Sequence, residues 1–334
     1  MVELPPLRYL SRDDVAAAMP HLAERLALAE ATLRGLAGAA ELPAKIGVHP
    51  RLPGSFAHAM PAYLPGDAAD GTVDRLGIKW VLGFPGNAAL GLPAIGGILL
   101  LNDPLTGTAV AILDAGPITA ERTAAVSGVA IRAWASPAQP GSPRVALIGA
   151  GVQGRSHLAV IGHVLPGTEL RVFDRDPDRA VALADAARRA DGFASSVVAT
   201  SARDAVEGAD VVVSAASFVP PSERQAMTND WLEAHALVVP VDYATYCAAE
   251  VARDAALFVT DHRDQFLANR DAGQFDGYPE PHAMIGERLD ATGAARPAGR
   301  IVATHLGTGL ADVVFGTAIT ETAARLGLGV ILAR

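Results

Sequence analysis

Residues 144–154 read Arg144-Val145-Ala146-Leu147-Ile148-Gly149-Ala150-Gly151-Val152-Gln153-Gly154. The apolar run Val145–Ile148 has the length and composition of a buried strand, and it passes directly into three glycines and then a helical segment. In that setting the first glycine permits a tight turn, the second a close backbone approach to a phosphate, and the third close packing of helix on strand. The helix start adds free N–H groups and the positive end of the helix dipole. A second strand ends at Asp174, twenty residues beyond Gly154, where a carboxylate can accept bonds from ribose hydroxyls. A glycine turn of purely structural use would not need that acid. The pattern therefore predicts a dinucleotide site carried by Gly149, Gly151, Val152, Gln153, Gly154 and Asp174. Asp174 repels a 2′-phosphate and favours NAD, while neighbouring Arg175 could attract one and keeps NADP open.

Outward from this stretch, strand-like runs at Val145–Ile148, Leu170–Phe173, Val197–Ala199, Val211–Ser214, Leu237–Val241 and Leu257–Thr260 alternate with Ala-rich helical segments. Such alternation is the pattern of a parallel sheet covered by helices. Upstream, Ser136-Pro137-Ala138-Gln139-Pro140-Gly141-Ser142-Pro143 breaks regular structure and reads as a linker. Before it, Gly77–Leu82, Gly97–Leu101 and Thr108–Leu113, separated by Pro- and Gly-rich turns, suggest antiparallel strands. A helix is expected from Ser11 to about Leu36, and another running to Trp134 with Thr119 as its N-cap. Downstream, the Gly- and Pro-rich segment Asp271–Arg300, with one short helix around Met284–Leu289, reads as a lid or cleft wall. A last helix is expected over about Leu310–Leu326, ending at Gly327.

Composition narrows the classes. At 334 residues, the chain exceeds the usual single core and favours two domains. Half of it is apolar and 19% charged, which supports a large core and argues against disorder. With 27 Lys and Arg against 36 Asp and Glu, the net charge is −9, and no basic block suggests nucleic acid or a membrane surface. Small molecules are the expected partners. Met1–Pro6 lacks a signal-peptide pattern, and every apolar run breaks well before the length of a membrane span. With one cysteine, Cys247, no disulfide framework or multi-thiolate metal site can form, and a cytoplasmic location is expected. The nine histidines show no paired-ligand spacing, so no metal is expected.

Several short stretches in fixed order then carry a resemblance: Met60-Pro61-Ala62, Gly77-Ile78-Lys79, Asn87 before Gly91-Leu92-Pro93, Asn102-Asp103 with Thr106-Gly107, Arg122-Thr123-Ala124-Ala125, the glycine turn, and Gly307 through Asp312. Together they span nearly the whole chain, which resembles the ornithine cyclodeaminase/mu-crystallin family. The resemblance implies an α/β fold: a Rossmann-type doubly wound sheet (121–302) inserted in an α+β substrate-binding and dimerisation domain (1–120 plus 303–334). It implies a homodimer and NAD(P)-dependent chemistry on an α-amino or α-imino acid, or, in the crystallins, a binding role.

The resemblance also assigns residues. Lys79 and Arg122, with Met60 and Lys45, match substrate-binding positions. Arg122 offers a planar fork suited to a carboxylate, and a lysine in an apolar strand is costly to bury without an anion. Lys45 stands where relatives carry an arginine, keeping a cation without the fork. Thr123 matches a threonine beside the cofactor, and Ser214, at a strand end, joins the cofactor set. Asp242 closes the strand Leu237–Val241 at the ligand-binding edge of a doubly wound sheet and matches a catalytic aspartate; Lys79 is its catalytic companion.

Two departures bear on the substrate. Relatives that cyclise ornithine carry a glutamate where this chain has His58, so a distal ammonium loses its partner. A family lysine after the aspartate is replaced by Tyr246. The leading expectation is thus an NAD-dependent oxidoreductase of an α-amino or α-imino acid, catalysing oxidative deamination or imine reduction on small amino, imino or keto acids. The alternatives are an ornithine cyclodeaminase-type ammonia-lyase with catalytic NAD and a mu-crystallin-like nucleotide- and ligand-binding protein.

Overall fold

The computed structural model describes residues 4–66, 71–136, 142–290 and 296–334. Part of the amino-terminal reading (1–3), most of the expected linker (137–141) and part of the irregular stretch (291–295) lie outside the described residues. The chain divides into two compact units, Met1–Arg122 with Gly307–Arg334, and Thr123–Leu306.

The first unit begins with strand β1 (Leu7–Leu10), helices α1 (Arg12–Ala17) and α2 (Leu22–Ala37), strands β2 (Ile46–Val48), β3 (Phe56–Leu64), β4 (Arg75–Gly83), β5 (Ile95–Asn102) and β6 (Ala109–Asp114), and helix α3 (Ala115–Trp134), within which the unit boundary falls. The second unit continues with β7 (Arg144–Ile148), α4 (Val152–Val164), β8 (Thr168–Phe173), α5 (Pro177–Arg189), β9 (Phe193–Val198), α6 (Ala202–Val206), β10 (Val211–Ser214), β11 (Leu237–Pro240), α7 (Ala249–Arg253), β12 (Leu257–Thr260), α8 (Arg263–Asp271), β13 (Ala283–Met284), α9 (Ile285–Asp290) and β14 (Ile301–Thr304). Helix α10 (Gly309–Leu326) and strand β15 (Val330–Leu332) return to the first unit.

Two helices replace the single one expected near the amino terminus. Ser11 caps α1 in a reciprocal capping box with Asp14, but α1 stops at Ala17 and His21 caps a new start. Pro20 lacks an N–H and its ring would clash one turn back, a cost of about 3 kcal/mol inside a helix. Thr119 is not a cap either. Helix α3 begins at Ala115, and the Thr119 hydroxyl donates to the Ala115 carbonyl one turn behind it.

In the first unit β3 to β6 form an antiparallel run, as the alternating pattern suggests, within a seven-stranded sheet ordered β15-β1-β6-β5-β4-β3-β2. β1 lies parallel to β6, so the sheet is mixed. One sheet face, carrying Met60, Lys79, Val81, Leu99, Leu101, Ala111 and Leu113, is buried. Helix α10 packs on β3, β4 and β5. Glycines set its approach: a Cβ at Gly77 would meet Val313, and one at Gly309 would meet the Met60 backbone.

The second unit holds an eight-stranded parallel sheet ordered β13-β12-β14-β11-β10-β7-β8-β9. β10 and β11 are buried along their whole length, in keeping with a sheet covered on both faces. Strand order reverses at β7, so the crevice beyond the carboxyl ends of β7 and β10 is the topological switch point of a doubly wound fold. Within the segment Asp271–Arg300, the part around Phe275–Tyr278 is core rather than lid. Phe275 and Tyr278 are buried against Phe258 and Phe266, and the Tyr278 hydroxyl donates to the Cys247 carbonyl at 2.6 Å. The aromatic side chains anchor a stretch that Gly and Pro leave without regular structure.

Candidate active site

In the first unit, Lys79 sits in the middle of β4 with 1% of its surface exposed, opposite Met60 on β3. An ammonium so deeply buried needs an anion, and α10 provides it. Lys79 Nζ pairs with Asp312 Oδ2 at 2.5 Å and donates to Thr119 Oγ1 at 3.4 Å. Arg122, reaching from α3, donates from Nε to the other oxygen, Asp312 Oδ1, at 3.2 Å. Burial pulls the Lys79 pKa down to about 7; Asp312 raises it, and Arg122 and Lys45 lower it further. Asp312 itself lies in the first turn of α10, where the helix dipole favours negative charge.

His58 lies two residues before Met60 on β3 and therefore on the same sheet side. It stacks on Phe56 with ring centroids 4.5 Å apart and meets His49 edge-on at 6.5 Å. Burial first, then the charges of Lys45 and His49, lower its pKa and favour the neutral ring. Lys45, half-buried ahead of β2, thus influences both His58 and Lys79.

In the second unit the glycine turn bridges β7 and α4 as the sequence pattern suggests. Gly149 has φ 100° and donates its N–H to the Phe173 carbonyl at 2.8 Å; a Cβ there would strike the Ala215 backbone. Gly151 is the N-cap of α4 and supplies no side-chain cap, and a Cβ on it would meet nothing within 4 Å. The helix start is therefore open to an anion. The Gln153 Oε1, buried at this turn, has no hydrogen-bond partner among the described residues. Asp174 accepts from Ala150 N–H at 2.6 Å and Asp176 N–H at 2.8 Å, which locks the acid beside the turn. Arg175 is exposed next to it, and Val152 is exposed at the start of α4. These features fit a dinucleotide whose pyrophosphate rests on the α4 start.

Asp242 follows β11 at the same carboxyl edge of the sheet. Ser214, at the end of β10, donates its hydroxyl to Asp242 Oδ1 at 2.8 Å, and Ala216 N–H donates to Oδ2 at 3.2 Å. Burial raises the Asp242 pKa to about 7 against the pull of these donors. The next residue, Tyr243, takes a left-handed backbone with φ 60°, unusual outside glycine. Its ring stacks on Phe275 and its hydroxyl donates to the Leu306 carbonyl at 3.3 Å, holding the turn that presents Asp242. Tyr246 is half-buried, and its phenol pKa is raised by burial and by Asp242. The Cys247 thiol is pushed up to about 12 by burial, an inert core group.

The structure thus gathers Lys79, Arg122 and Met60, with His58 along the same strand side, in one unit, and the glycine turn, Asp174, Ser214 and Asp242 at one sheet edge in the other. Thr123, buried, opens the second unit's share of α3 directly after Arg122. Sequence reasoning missed Asp312 and Thr119 as partners of Lys79. A signal for Asp312 existed: a lysine inside an apolar strand requires an acid, and Asp312 ends one of the stretches that carry the resemblance. Reasoning also missed a buried chain in the second unit, in which Ser127 Oγ lies 2.8 Å from both His157 Nε2 and His305 Nε2.

A profile of the ornithine cyclodeaminase/mu-crystallin family matches residues 11–323. The chain belongs to this family. It is 36% identical over 333 residues to the nodulation efficiency protein NfeD of Rhizobium meliloti, covering 98% of each chain. It is 30% identical over 268 residues to the ketimine reductase mu-crystallin of Mus musculus, covering 78% of each. Among solved structures, Thermococcus litoralis Δ1-pyrroline-2-carboxylate reductase in complex with NADH and L-proline superposes with a TM-score of 0.80 at 24% identity, covering 97% of this chain and all of that one. Membership agrees with the mixed sheet, the parallel doubly wound sheet and the late glycine turn described above. No helix among the described residues is long and apolar enough to cross a membrane.

Proposed function

We propose that this chain is an NAD-dependent oxidoreductase that reduces the C=N bond of a small α-imino acid, or in reverse oxidises the corresponding α-amino acid. The observation that carries the reading is the buried trio Lys79, Arg122 and Asp312: two cations share one acid, leaving a single positive charge in a dry site. A substrate carboxylate would neutralise it. The 30% identical ketimine reductase supports the same reaction class.

The first unit then serves as the substrate-binding and dimerisation domain and the second as the NAD-binding domain. Lys79 and Arg122 hold the carboxylate, Met60 lines the strand beside them, and Lys45 and His58 meet the remainder of the substrate. The glycine turn from Gly149 to Gly154 holds the pyrophosphate, Asp174 the ribose, and Thr123 and Ser214 complete the cofactor set. NAD, when bound, supplies or accepts the hydride at the substrate α-carbon. Asp242, which exchanges its proton near neutrality, gives a proton to the imine nitrogen during reduction and takes one up in the reverse direction. The carboxylate at position 174 favours NAD over NADP.

His58 argues against ornithine cyclodeamination, because a neutral imidazole carries no negative charge to balance a distal ammonium. Asp242 argues against a purely binding role. The exposed apolar residues of the first unit's sheet support a homodimer, and the single cysteine a cytoplasmic location.

The test is to incubate the protein with NADH and Δ1-pyrroline-2-carboxylate, Δ1-piperideine-2-carboxylate, or pyruvate with ammonia, and with NAD and an amino-acid panel, following NADH and ammonia. NADH consumption with an imino acid is the expected outcome. Ammonia and proline from ornithine without net NADH change would replace this reading with cyclodeamination; no turnover with NAD binding retained would favour the binding role.

A further inference from the structure

Asp312 meets its two cations with different oxygens, Oδ2 to Lys79 Nζ at 2.5 Å and Oδ1 to Arg122 Nε at 3.2 Å. One rigid carboxylate therefore fixes the spacing of two basic groups that come from a strand and a helix 43 residues apart (122 − 79). All three side chains are buried, so the arrangement is not a solvated surface pair. Without the acid, the two neighbouring cations would repel. Arginine cannot release its proton, so lysine would.

A second observation points the same way. Gly307, with φ 73°, lies directly against the Arg122 guanidinium, where any Cβ would overlap Nη1, Nη2 and Cζ. The next residue, Thr308, caps α10 by accepting from Ala311 N–H, which sets the helix turn that carries Asp312. The backbone from 307 to 312 thus seats Arg122 on one side and binds it on the other.

We propose that Asp312, together with Gly307, is the positioning element that sets Lys79 and Arg122 as the two arms of one carboxylate clamp. This deepens the functional reading above and rests on it. Asp312 does not touch the substrate; it acts by holding two groups that grip the substrate carboxylate.

The groups facing Lys79 are Asp312 from α10, Arg122 and Thr119 from α3, and Lys45. Among them Asp312 is the acid that keeps the ammonium protonated. A purely structural ion pair would change stability when broken; a clamp-setting acid also changes the pH at which a carboxylate is released.

The experiment is calorimetric titration of pyrrole-2-carboxylate, a planar carboxylate with no reducible imine, into the NADH complex across a pH series. In the unaltered protein, affinity should fall as pH rises through about 7, where Lys79 loses its proton. In Asp312→Asn, affinity should be roughly tenfold or more weaker and the fall should begin about one pH unit lower or more, with NADH affinity kept within about twofold. Asp312→Glu should restore part of the pH shift. Gly307→Ala retains every charge and should weaken carboxylate binding roughly fivefold or more while leaving the pH of release in place; it carries the test should Asp312→Asn fail to fold. Carboxylate affinity and pH dependence unaltered in both Asp312→Asn and Gly307→Ala would overturn the positioning role. Failure of the unaltered protein to bind any carboxylate would instead overturn the functional reading, and the inference with it.

Discussion

Asp242 and His157 are buried titrating groups displaced in opposite directions, and each makes a signed prediction. Burial lifts Asp242 from 3.8 to about 7, so near neutrality it can be proton donor or acceptor. Imine reduction needs the acid form, so kcat for reduction at saturating substrate should fall as pH rises through about 7, while kcat for amino-acid oxidation should rise over the same interval. Asp242→Asn should leave NADH binding nearly intact and lower turnover by about 10²-fold or more; turnover equal to that of the unaltered protein would remove Asp242 from the chemistry. His157, whose Nδ1 bonds the Gln153 carbonyl at 2.6 Å, is pushed by burial from 6.5 down to about 4. For this depressed base the unfolded chain binds the proton first, so its stability contribution is full above 6.5 and is lost as pH falls toward 4. For the raised acid the folded chain holds the proton longer, so its contribution is full below 3.8 and is lost as pH rises toward 7. Between about 4 and 6.5 the two slopes therefore oppose each other. In Asp242→Asn the opposing slope is removed, so stability should rise more steeply with pH across that window than in the unaltered protein, by up to roughly 1.4 kcal/mol per pH unit. Denaturant unfolding at several pH values checks this, and an unchanged slope in the variant would contradict the opposed pair.

The elements of the first unit leave one apolar sheet face uncovered. Trp80 on β4 and Ile98 on β5 are register partners on that face, 38% and 48% exposed, with Tyr9 of β1 also exposed there. Large apolar faces of this kind usually mark an interaction surface. In the proposed homodimer this face lies in the interface, so Trp80→Glu with Ile98→Glu should convert the dimer to a monomer in sedimentation analysis; a dimer that persists would place the interface elsewhere. In the second unit, a Cβ at Gly154 would overlap the Gly149 carbonyl oxygen. Gly154→Ala should therefore spoil the turn and weaken NADH binding about tenfold or more while sparing pyrrole-2-carboxylate. These elements also show what sequence can carry. The glycine turn, the buried parallel strands and the helix ending at Gly327, with φ 68°, are local patterns and were legible. The break before Pro20 and the true start of α3 were missed because an apolar periodicity continues through them, and only chain stereochemistry decides where the helix stops.

Across the whole molecule, legibility fails where partners are distant in sequence. β1 and β15, near opposite ends of the chain, pair with each other, and β14 inserts between β11 and β12 out of chain order; short strands of four and three residues carry too little pattern to announce this. The same distance hid Asp312, 233 residues from Lys79 (312 − 79), although the cost of burying Lys79 demanded some acid. What sequence does convey is the proposed division of chemistry: Lys79 and Arg122 for a carboxylate in the outer segments, and the glycine turn for a nucleotide in the inserted one. That division predicts where each ligand protects the chain from hydrogen exchange. NADH alone should slow exchange around 149–154, 174 and 214, and at about 100 times its Kd should add roughly 2.7 kcal/mol to the unfolding free energy of the unit it binds. Pyrrole-2-carboxylate added to the NADH complex should extend protection to β4 and the start of α10, where Lys79 and Asp312 lie. Protection of β4 and α10 by NADH alone, with none around the glycine turn, would refute the assignment of nucleotide and carboxylate to separate units.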